Sequence, residues 1–293
     1  MKRSGNTLFH GVCTALATPF RDGGIDWASL AELIEIQVTG GVAAICLCGT
    51  TGEAATLSDG ERLQLVARAG EMIGGRCDYV VGVGSPSTAR SVSYARFAAA
   101  NGADALLVVT PYYNKGTHDG ITRHFHTIAD STDLPVILYN VPSRTGVDLT
   151  VGHLTEIAAH PNIRGLKEAG DSVSKLADFM AALGGKMQLY AGNDAAILPT
   201  LALGGSGVVS VLSNILPGEV TDICRLFGEG KTEEARRLSL ALLPLTHLLF
   251  AETNPAPLKC ALSLLGLAGE EIRLPLSPVS DDLRGKMREA LGL

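Results

Sequence analysis

The chain has 293 residues, a formal net charge of −6 at pH 7 and 46% hydrophobic residues. This length is compatible with two domains or with one large α/β barrel. The acidic balance and the lack of a basic run disfavour binding to nucleic acid or to an anionic membrane surface. No apolar run reaches the length of a signal-peptide core or a membrane span, so we expect a cytoplasmic protein without a membrane partner.

Short apolar runs alternate with amphipathic stretches along the first 230 residues. Most of the runs are rich in Val, Ile and Leu without polar alternation, which is typical of parallel strands covered on both faces. The predicted strands are residues 12–17, 43–48, 79–83, 105–109, 136–139, 163–166, 187–191 and 208–212.

Helices are predicted between these strands, and several begin with Asp or Ser, which are favoured N-cap residues. The clearest are residues 26–38, 58–73, 87–100 and 172–183. About eight strand–helix units without a dividing linker favour one (β/α)8 TIM barrel over a doubly wound sheet. We therefore expect a catalytic barrel over residues 1–230 and a small C-terminal helical appendage over residues 231–293.

The six cysteines and seven histidines show no pattern of metal ligands. Cys46 and Cys48 lie two apart on a predicted strand and should face the same side, but no second pair lies at zinc-finger spacing. His124 and His126 lie two apart on a helix, where residues do not face each other. We expect no metal site and interpret the cysteines as small buried residues.

In a TIM barrel the catalytic groups lie where the strands end, at the C-terminal face. Polar and glycine-rich clusters follow several of the predicted strands. They are residues 49–53, 111–114, 139–146, Lys167, 192–193 and 210–214. Because all of these follow strand ends, the sequence predicts one site on one rim of the barrel.

Lys167 is the leading candidate for chemistry, because it closes the apolar run of the sixth predicted strand. Burial disfavours the charged form of a lysine, so a neutral fraction can attack a carbonyl carbon. The alternative is a lysine whose ammonium group reaches the strand end and pairs with Glu168 or another carboxylate. The neighbouring clusters favour Schiff-base chemistry.

Those clusters contain groups that suit a keto acid. Thr50 and Thr51, on a glycine-flanked turn, offer hydroxyl and backbone N–H groups to a carboxylate, although both residue types are common in turns. Tyr139 can transfer a proton beside Lys167, or be an amphipathic rim residue. Arg144 can bind a second carboxylate through two hydrogen bonds, or form a surface ion pair.

The motifs as a set resemble the dihydrodipicolinate synthase family over nearly the whole chain. They are Gly-Thr-Thr-Gly-Glu at 49–53, Thr-Pro-Tyr-Tyr-Asn at 110–114, Tyr-Asn-Val-Pro-Ser-Arg-Thr-Gly at 139–146, Gly-Leu-Lys-Glu-Ala at 165–169 and Glu-Thr-Asn-Pro at 252–255. The first motif and the Tyr-to-Lys spacing mark the wider pyruvate-dependent class I aldolase superfamily, which includes N-acetylneuraminate lyase. The motif that carries Arg144 is specific to a smaller group of these proteins and favours the synthase.

The resemblance implies catalytic roles for four residues. Lys167 would form the Schiff base with pyruvate, and Tyr139, Thr50 and Tyr113 would make a proton relay. In that family the tyrosine that matches Tyr113 reaches into the site of a neighbouring subunit, which implies a homodimer or a homotetramer. No metal or organic cofactor is implied, because the protonated imine is the electron sink.

The resemblance also implies how the substrates bind. Thr50 and Thr51, with the backbone near Gly192 and Val209, would hold the pyruvate carboxylate. Arg144 would bind the carboxylate of L-aspartate 4-semialdehyde.

The expected activity is condensation of these two substrates to 4-hydroxy-tetrahydrodipicolinate, a step of lysine and diaminopimelate biosynthesis. Another pyruvate- or 2-keto-acid-dependent aldolase or dehydratase of the same superfamily is the alternative, and a non-catalytic barrel that serves as a binding or assembly protein is a remote one.

Weak or absent feedback inhibition by lysine is a further expectation from the resemblance. In lysine-sensitive members a glutamate pairs with the ammonium group of the bound lysine, and an asparagine and histidines complete the pocket. The matching positions here are Arg90 for the glutamate, Pro86 for the asparagine, and Asp59 and Arg62 for the histidines. A cation at position 90 repels a cationic ligand, whereas Asp59 restores one negative charge.

Overall fold

A computed structural model describes residues 8–170 and 172–293. Its main sheet is a closed barrel of parallel strands, as predicted. The barrel strands are β1 (Gly11–Ala15), β4 (Ala44–Leu47), β5 (Asp78–Gly82), β6 (Ala105–Val109), β7 (Val136–Asn140), β8 (Ile163–Glu168), β9 (Gln188–Ala191) and β10 (Gly207–Ser210). Each pairs with its neighbours along the chain, and β1 closes the barrel by pairing with both β4 and β10. A short hairpin of β2 (Phe20–Arg21) and β3 (Gly24–Ile25), which was not predicted, follows β1.

Helices surround the barrel. They are α1 (Trp27–Thr39), α2 (Asp59–Ile73), α3 (Thr88–Ala100), α4 (His118–Ala129), α5 (Pro142–Thr145), α6 (Val151–Ile157), α7 (Val173–Leu183), α8 (Ile197–Ala202), α9 (Pro217–Gly228), α10 (Thr232–Leu249), α11 (Ala256–Leu264) and α12 (Asp281–Ala290). The predicted N-caps Asp26, Ser58, Ser87 and Ser172 each accept a hydrogen bond from a backbone N–H three residues on. Because these side chains satisfy N–H groups that the first turn leaves free, they fix where the four helices begin.

Several strand ends differ from the prediction by one or two residues, and two of them have clear local reasons. The strand that carries Lys167 extends through Glu168, because Lys167 and Glu168 stay in register with Tyr139 and Asn140 of β7. The last barrel strand stops at Ser210, since the Asp194 carboxylate accepts hydrogen bonds from the next two backbone N–H groups at 2.9 and 3.2 Å. Those N–H groups are therefore turned away from a sheet ladder.

The core has two layers, one inside the barrel and one between the strands and the helices. Cys46 lies in the inner cluster, with Cys13 and Tyr139. Cys48 lies in the outer cluster, with Leu47. The expectation that Cys46 and Cys48 face the same side is therefore wrong. The strand ends at Leu47, and the φ of 56° at Cys48 turns its side chain outward.

Beyond residue 230 the structure is helical, as expected for the C-terminal region. Helix α10 packs on α9, and α12 packs against α10 and α11. In the described part of the chain, no helix combines the length and the apolar character needed to cross a membrane.

Candidate active site

Lys167 lies inside the barrel near the end of β8, beside Tyr139 of β7. The two residues are register partners, and the Lys167 Nζ lies 4.1 Å from the centroid of the Tyr139 ring. Both side chains are largely buried, with 6% and 7% of their residue surfaces exposed. Because the side chains of register partners on parallel strands lie on the same face, the fold itself brings the amine and the phenol together.

Glu168, the next residue, is held on the other side of β8. Its carboxylate accepts hydrogen bonds from Asn140 Nδ2 at 2.8 Å and from the Gly170 backbone N–H at 2.6 Å, and Lys175 Nζ lies 3.9 Å away. Burial raises the pKa of this carboxyl group. The pairing of Lys167 with Glu168, which the sequence left open, is therefore not formed, and Glu168 instead anchors the end of the strand.

Two thiols lie below the amine within the barrel. Cys13 and Cys46 form a fully buried pair on the neighbouring strands β1 and β4. Burial raises the pKa of Cys13, whereas the contact with Cys13 and the charge of Lys167 lower the pKa of Cys46. The two thiols thus form a polarisable floor beneath the Lys167 side chain.

Lys167 opens into a cavity of about 190 Å³ at the C-terminal ends of the strands. A larger cavity of about 400 Å³ adjoins it. The two share lining residues, which are Gly49, Thr50, Leu107, Tyr139, Val141, Arg144 and Asn254. We call them the inner and the outer cavity. The inner one has the size of a small metabolite and is polar on the side of the threonines.

Thr50 and Thr51 enter this site on the turn that follows β4. Both line the inner cavity, and Thr51 is only 3% exposed. Glu53 ends the turn with a left-handed φ of 51°, and its side chain is buried in an ion pair with Lys259 of α11. Lys259 also donates to the Glu271 carbonyl oxygen at 2.7 Å. The C-terminal region therefore stabilises the threonine turn through a buried contact outside the inner cavity.

Arg144 projects from the short helix α5, which follows β7. It lines both cavities, and one guanidinium nitrogen donates to the Asn254 carbonyl oxygen at 3.2 Å. The other N–H groups of the guanidinium remain for a ligand, because a guanidinium carries five. A second carboxylate would thus bind at the boundary of the inner and outer cavities.

Three of the predicted site residues lie differently from the others. Val209 is a barrel-interior residue that is 2% exposed, and Val211, two positions on, lines the inner cavity in its place. Gly192 lines the inner cavity, but its N–H group donates to the Glu168 carbonyl oxygen at 2.6 Å. Tyr113 is 93% exposed, with a φ of 71°, and lines neither the inner nor the outer cavity.

Asn254 and Phe250, which were not predicted as site residues, both line the inner cavity. Asn254 lies within the Glu-Thr-Asn-Pro motif, so the resemblance indicated its position but no role. Lys259 was also missed, and the only available signal was one lysine in an otherwise apolar helical stretch. A buried lysine without a partner is costly, so such a lysine indicates a hidden carboxylate.

Three of the four residues at the expected effector positions line the outer cavity, and they are Arg62, Arg90 and Asp59. Arg62 is 5% exposed and lies over the Tyr94 ring, 4.1 Å from its centroid, and the Tyr94 hydroxyl donates to Asp59 at 2.5 Å. The negative charge of Asp59 is therefore partly engaged within the chain, whereas the cavity wall carries two cations.

Within residues 8–170 and 172–293, no cluster of three or more His, Cys, Asp or Glu side chains is placed to hold a metal ion. His124, one of the two histidines considered as ligands, has its Nδ1 2.9 Å from the Thr88 hydroxyl, and burial lowers its pKa to about 4. It is a neutral helix-packing residue.

The fold and this constellation of lysine, tyrosine, threonines and arginine define a barrel enzyme of the Schiff-base aldolase class. The model of the dihydrodipicolinate synthetase family matches residues 8–292. The 4-hydroxy-tetrahydrodipicolinate synthase of Pelobacter propionicus is 42% identical over 280 residues, which cover 96% of this chain and 97% of that protein. The chain belongs to the dihydrodipicolinate synthetase family.

Solved structures agree with this assignment. The structure of the 4-hydroxy-tetrahydrodipicolinate synthase from Methylacidiphilum fumariolicum SolV superposes with a TM-score of 0.95 at 42% identity, covering 97% of this chain and 95% of that one. The chloride-inhibited dihydrodipicolinate synthase of Acinetobacter baumannii, complexed with pyruvate, gives 0.95 at 39% identity and covers 97% and 98%.

Proposed function

We propose that the protein condenses pyruvate with L-aspartate 4-semialdehyde to 4-hydroxy-tetrahydrodipicolinate through a Schiff base on Lys167. The observation that carries the proposal is the buried Lys167 amine beside the Tyr139 phenol, in a cavity that also contains Thr51 and Arg144. The names of the curated relatives and the pyruvate complex of the Acinetobacter baumannii protein support the same reaction.

The reaction begins when the neutral Lys167 amine attacks the ketone carbon of pyruvate. Loss of water gives an imine, and proton loss from the methyl group gives an enamine whose carbon attacks the aldehyde. The amino group of the bound adduct then attacks the imine carbon, which closes the ring and releases Lys167. Tyr139 transfers the protons of imine formation, because its phenol lies next to the reacting nitrogen. The protonated imine stabilises the developing carbanion, so the proposed chemistry needs no cofactor.

The other groups bind the two carboxylates in this proposal. Thr50 and Thr51 hold the carboxylate of pyruvate in the inner cavity. Arg144 holds the carboxylate of the semialdehyde at the boundary with the outer cavity, where its guanidinium is already oriented by the Asn254 carbonyl. The backbone near Val211 replaces that near Val209 in this proposal, since Val211 lines the cavity.

Borohydride trapping tests the Schiff base directly. Incubation with pyruvate and borohydride should inactivate the enzyme and leave one reduced adduct on a Lys167 peptide in mass spectrometry. Lys167→Ala should give no adduct and no turnover, whereas the exposed-surface control Lys286→Ala should behave as the wild type. Full activity in Lys167→Ala would end the proposal.

Another aldolase of the superfamily is the second candidate. It would form the same pyruvate adduct but use a different aldehyde. A coupled assay over a panel of aldehydes, with pyruvate as the common partner, separates the two. If aspartate semialdehyde gives the highest kcat/KM of the panel, the protein is the synthase. If another aldehyde gives a higher kcat/KM, the alternative is supported.

We further propose that the active unit is a homodimer or homotetramer in the cytoplasm, with Tyr113 completing the proton relay of a neighbouring copy. Tyr113 is 93% exposed, which places a large apolar ring in solvent. Such a side chain suits a subunit interface, where the ring is buried and the hydroxyl group can still form a hydrogen bond. Analytical ultracentrifugation should show at least a dimer at assay concentration. A fully active monomer would contradict the shared relay.

The division into a catalytic barrel over residues 1–230 and a helical region over residues 231–293 is also a proposal. The contacts of Asn254 and Lys259 with the threonine turn support a region that serves the barrel site and is not an independent unit. A chain truncated after residue 230 should therefore lack activity even if the barrel strands form.

A further inference from the structure

Asn254 joins the C-terminal region to the threonine turn inside the site. It lies between α10 and α11, is 5% exposed and lines both the inner and the outer cavity. Its Nδ2 donates to the Thr51 hydroxyl oxygen at 3.0 Å. Its Oδ1 is buried and has no hydrogen-bond partner among the described residues. The Asn254 carboxamide therefore acts as a hydrogen-bond donor, and the Thr51 hydroxyl oxygen is its acceptor.

This contact determines what the Thr51 hydroxyl can do. A hydroxyl group has one hydrogen and accepts through its lone pairs. Because Oγ1 already accepts from the Asn254 amide, its single hydrogen is free to be donated to another group. An anion in the inner cavity is the acceptor that such a polarised hydroxyl suits best, since a hydrogen bond to a charged group is stronger than one to a neutral group.

We propose that Asn254 is a positioning residue that orients the Thr51 hydroxyl toward the pyruvate carboxylate and so sets the affinity for pyruvate. The inference rests on the proposed function and adds a residue to it. Asn254 acts through Thr51 and does not itself touch the reacting atoms.

The Lys259–Glu53 ion pair keeps this contact in place. Lys259 lies in α11, which begins two residues after Asn254, and Glu53 lies two residues after Thr51. Two links, one inside the cavity and one behind it, therefore join the same two segments. The Asn254 amide is held against Thr51 by packing that is independent of a bound substrate.

Asn254→Asp provides a nearly isosteric test, because a carboxylate only accepts. The Thr51 hydroxyl would then donate to the new carboxylate and would no longer donate to pyruvate, and the added charge would repel the substrate. The pyruvate concentration for half-maximal borohydride trapping should rise about 10- to 100-fold, as expected for a lost hydrogen bond to a charged group. Asn254→Ala removes the hydrogen-bond donor but adds no acceptor for the Thr51 hydroxyl. It should therefore raise the pyruvate concentration for half-maximal trapping by a smaller factor.

The aldehyde provides an internal control. Arg144 is oriented by the backbone carbonyl of Asn254, which every side-chain variant retains. In Asn254→Ala, which adds no charge beside Arg144, the KM for aspartate semialdehyde at saturating pyruvate should therefore stay within about twofold of the wild type. An equal loss of affinity for both substrates would show a packing role only and would overturn the proposal.

Two further readouts separate positioning from packing. In Asn254→Ala the KM for pyruvate should rise while kcat stays close to that of the wild type, because Asn254 does not touch the reacting atoms. In a Thr51→Val background the penalty of Asn254→Asp should shrink, because the hydroxyl through which Asn254 acts is absent. A fall in kcat without a rise in the KM for pyruvate, or a penalty that is unchanged without the hydroxyl, would refute the inference.

The outcome for the wild type separates this inference from the proposed function. If the wild type forms no adduct with pyruvate, the proposed function fails, and this inference fails with it. If the wild type forms the adduct and Asn254→Asp traps pyruvate equally well, only the role of Asn254 is refuted.

Discussion

Lys259→Met should be among the most destabilising single substitutions in this chain. Lys259 and Glu53 form an ion pair whose side chains are 1% and 0% exposed. Burial lowers the pKa of Lys259, although the hydrogen bond and the charge of Glu53 oppose the shift. Replacing the lysine with a side chain of similar shape removes the cation and leaves the Glu53 carboxylate buried without its charge partner.

The expected loss follows from what such buried pairs contribute. Removing one partner of a buried ion pair costs about 3–5 kcal/mol, because the remaining charge is desolvated without compensation. Unfolding entropies of about 2.1 cal/mol/K per residue give roughly 0.6 kcal/mol/K for a chain of this length. The melting temperature should therefore fall by about 5–8 °C.

Thermal unfolding by circular dichroism, at one fixed protein concentration, measures this change. The matched control is Lys286→Met, because Lys286 pairs with Asp282 at side-chain exposures of 58% and 75%. An exposed pair contributes about 0–1 kcal/mol, so the control should melt within about 2 °C of the wild type. Adding Glu53→Gln to Lys259→Met removes the unpaired charge and should recover part of the loss. The reasoning would be refuted if Lys259→Met lowered the melting temperature by less than about 2 °C. It would also be refuted if the double variant melted at a lower temperature than Lys259→Met.

Three other predictions follow from the site and its surroundings. Arg144→Ala should raise the KM for aspartate semialdehyde at least about tenfold, because a charge-assisted pair is lost, while borohydride trapping of pyruvate persists; an unchanged KM would favour another aldolase. Lysine should not give half-inhibition of the initial rate below about 1 mM, because Arg90 repels its ammonium group; a lower value would contradict our interpretation of the outer cavity. Hydrogen bonds from Arg273 hold the pKa of Glu61 at about 2, below its usual 4.5, so this pair stabilises the fold above about pH 4.5 and loses its effect as the pH falls toward 2. The difference in melting temperature between the wild type and Glu61→Gln should therefore shrink between pH 5 and pH 2, and a constant difference would contradict this.

The barrel could be predicted because its strands are continuous apolar runs, whose burial is visible residue by residue. Strand ends were less predictable, since they depend on distant partners. The Asp194 carboxylate that ends β10 after Ser210 is an example. The hairpin of β2 and β3 was missed because two-residue strands are too short to show an alternating pattern.

The site was predictable in part for the same reason. Lys167 and Tyr139 close neighbouring apolar runs, so their proximity follows from the order of the strands. The link between Thr51 and Asn254 joins residues from opposite ends of the chain, and no local pattern announces it. Cys48 was misplaced because its direction depends on a single backbone angle at the strand end.

The two links between the C-terminal region and the threonine turn also bear on synthesis at the ribosome. The strand and turn that carry Thr51 and Glu53 are made early, whereas Asn254 and Lys259 are made near the end. During translation the nascent barrel therefore exposes an unpaired Glu53 carboxylate and an unrestrained Thr51 until almost the whole chain has emerged. Full affinity for pyruvate should consequently appear late, after the strands have closed, because a stalled nascent chain would have Lys167 in place but lack the Asn254 contact to Thr51.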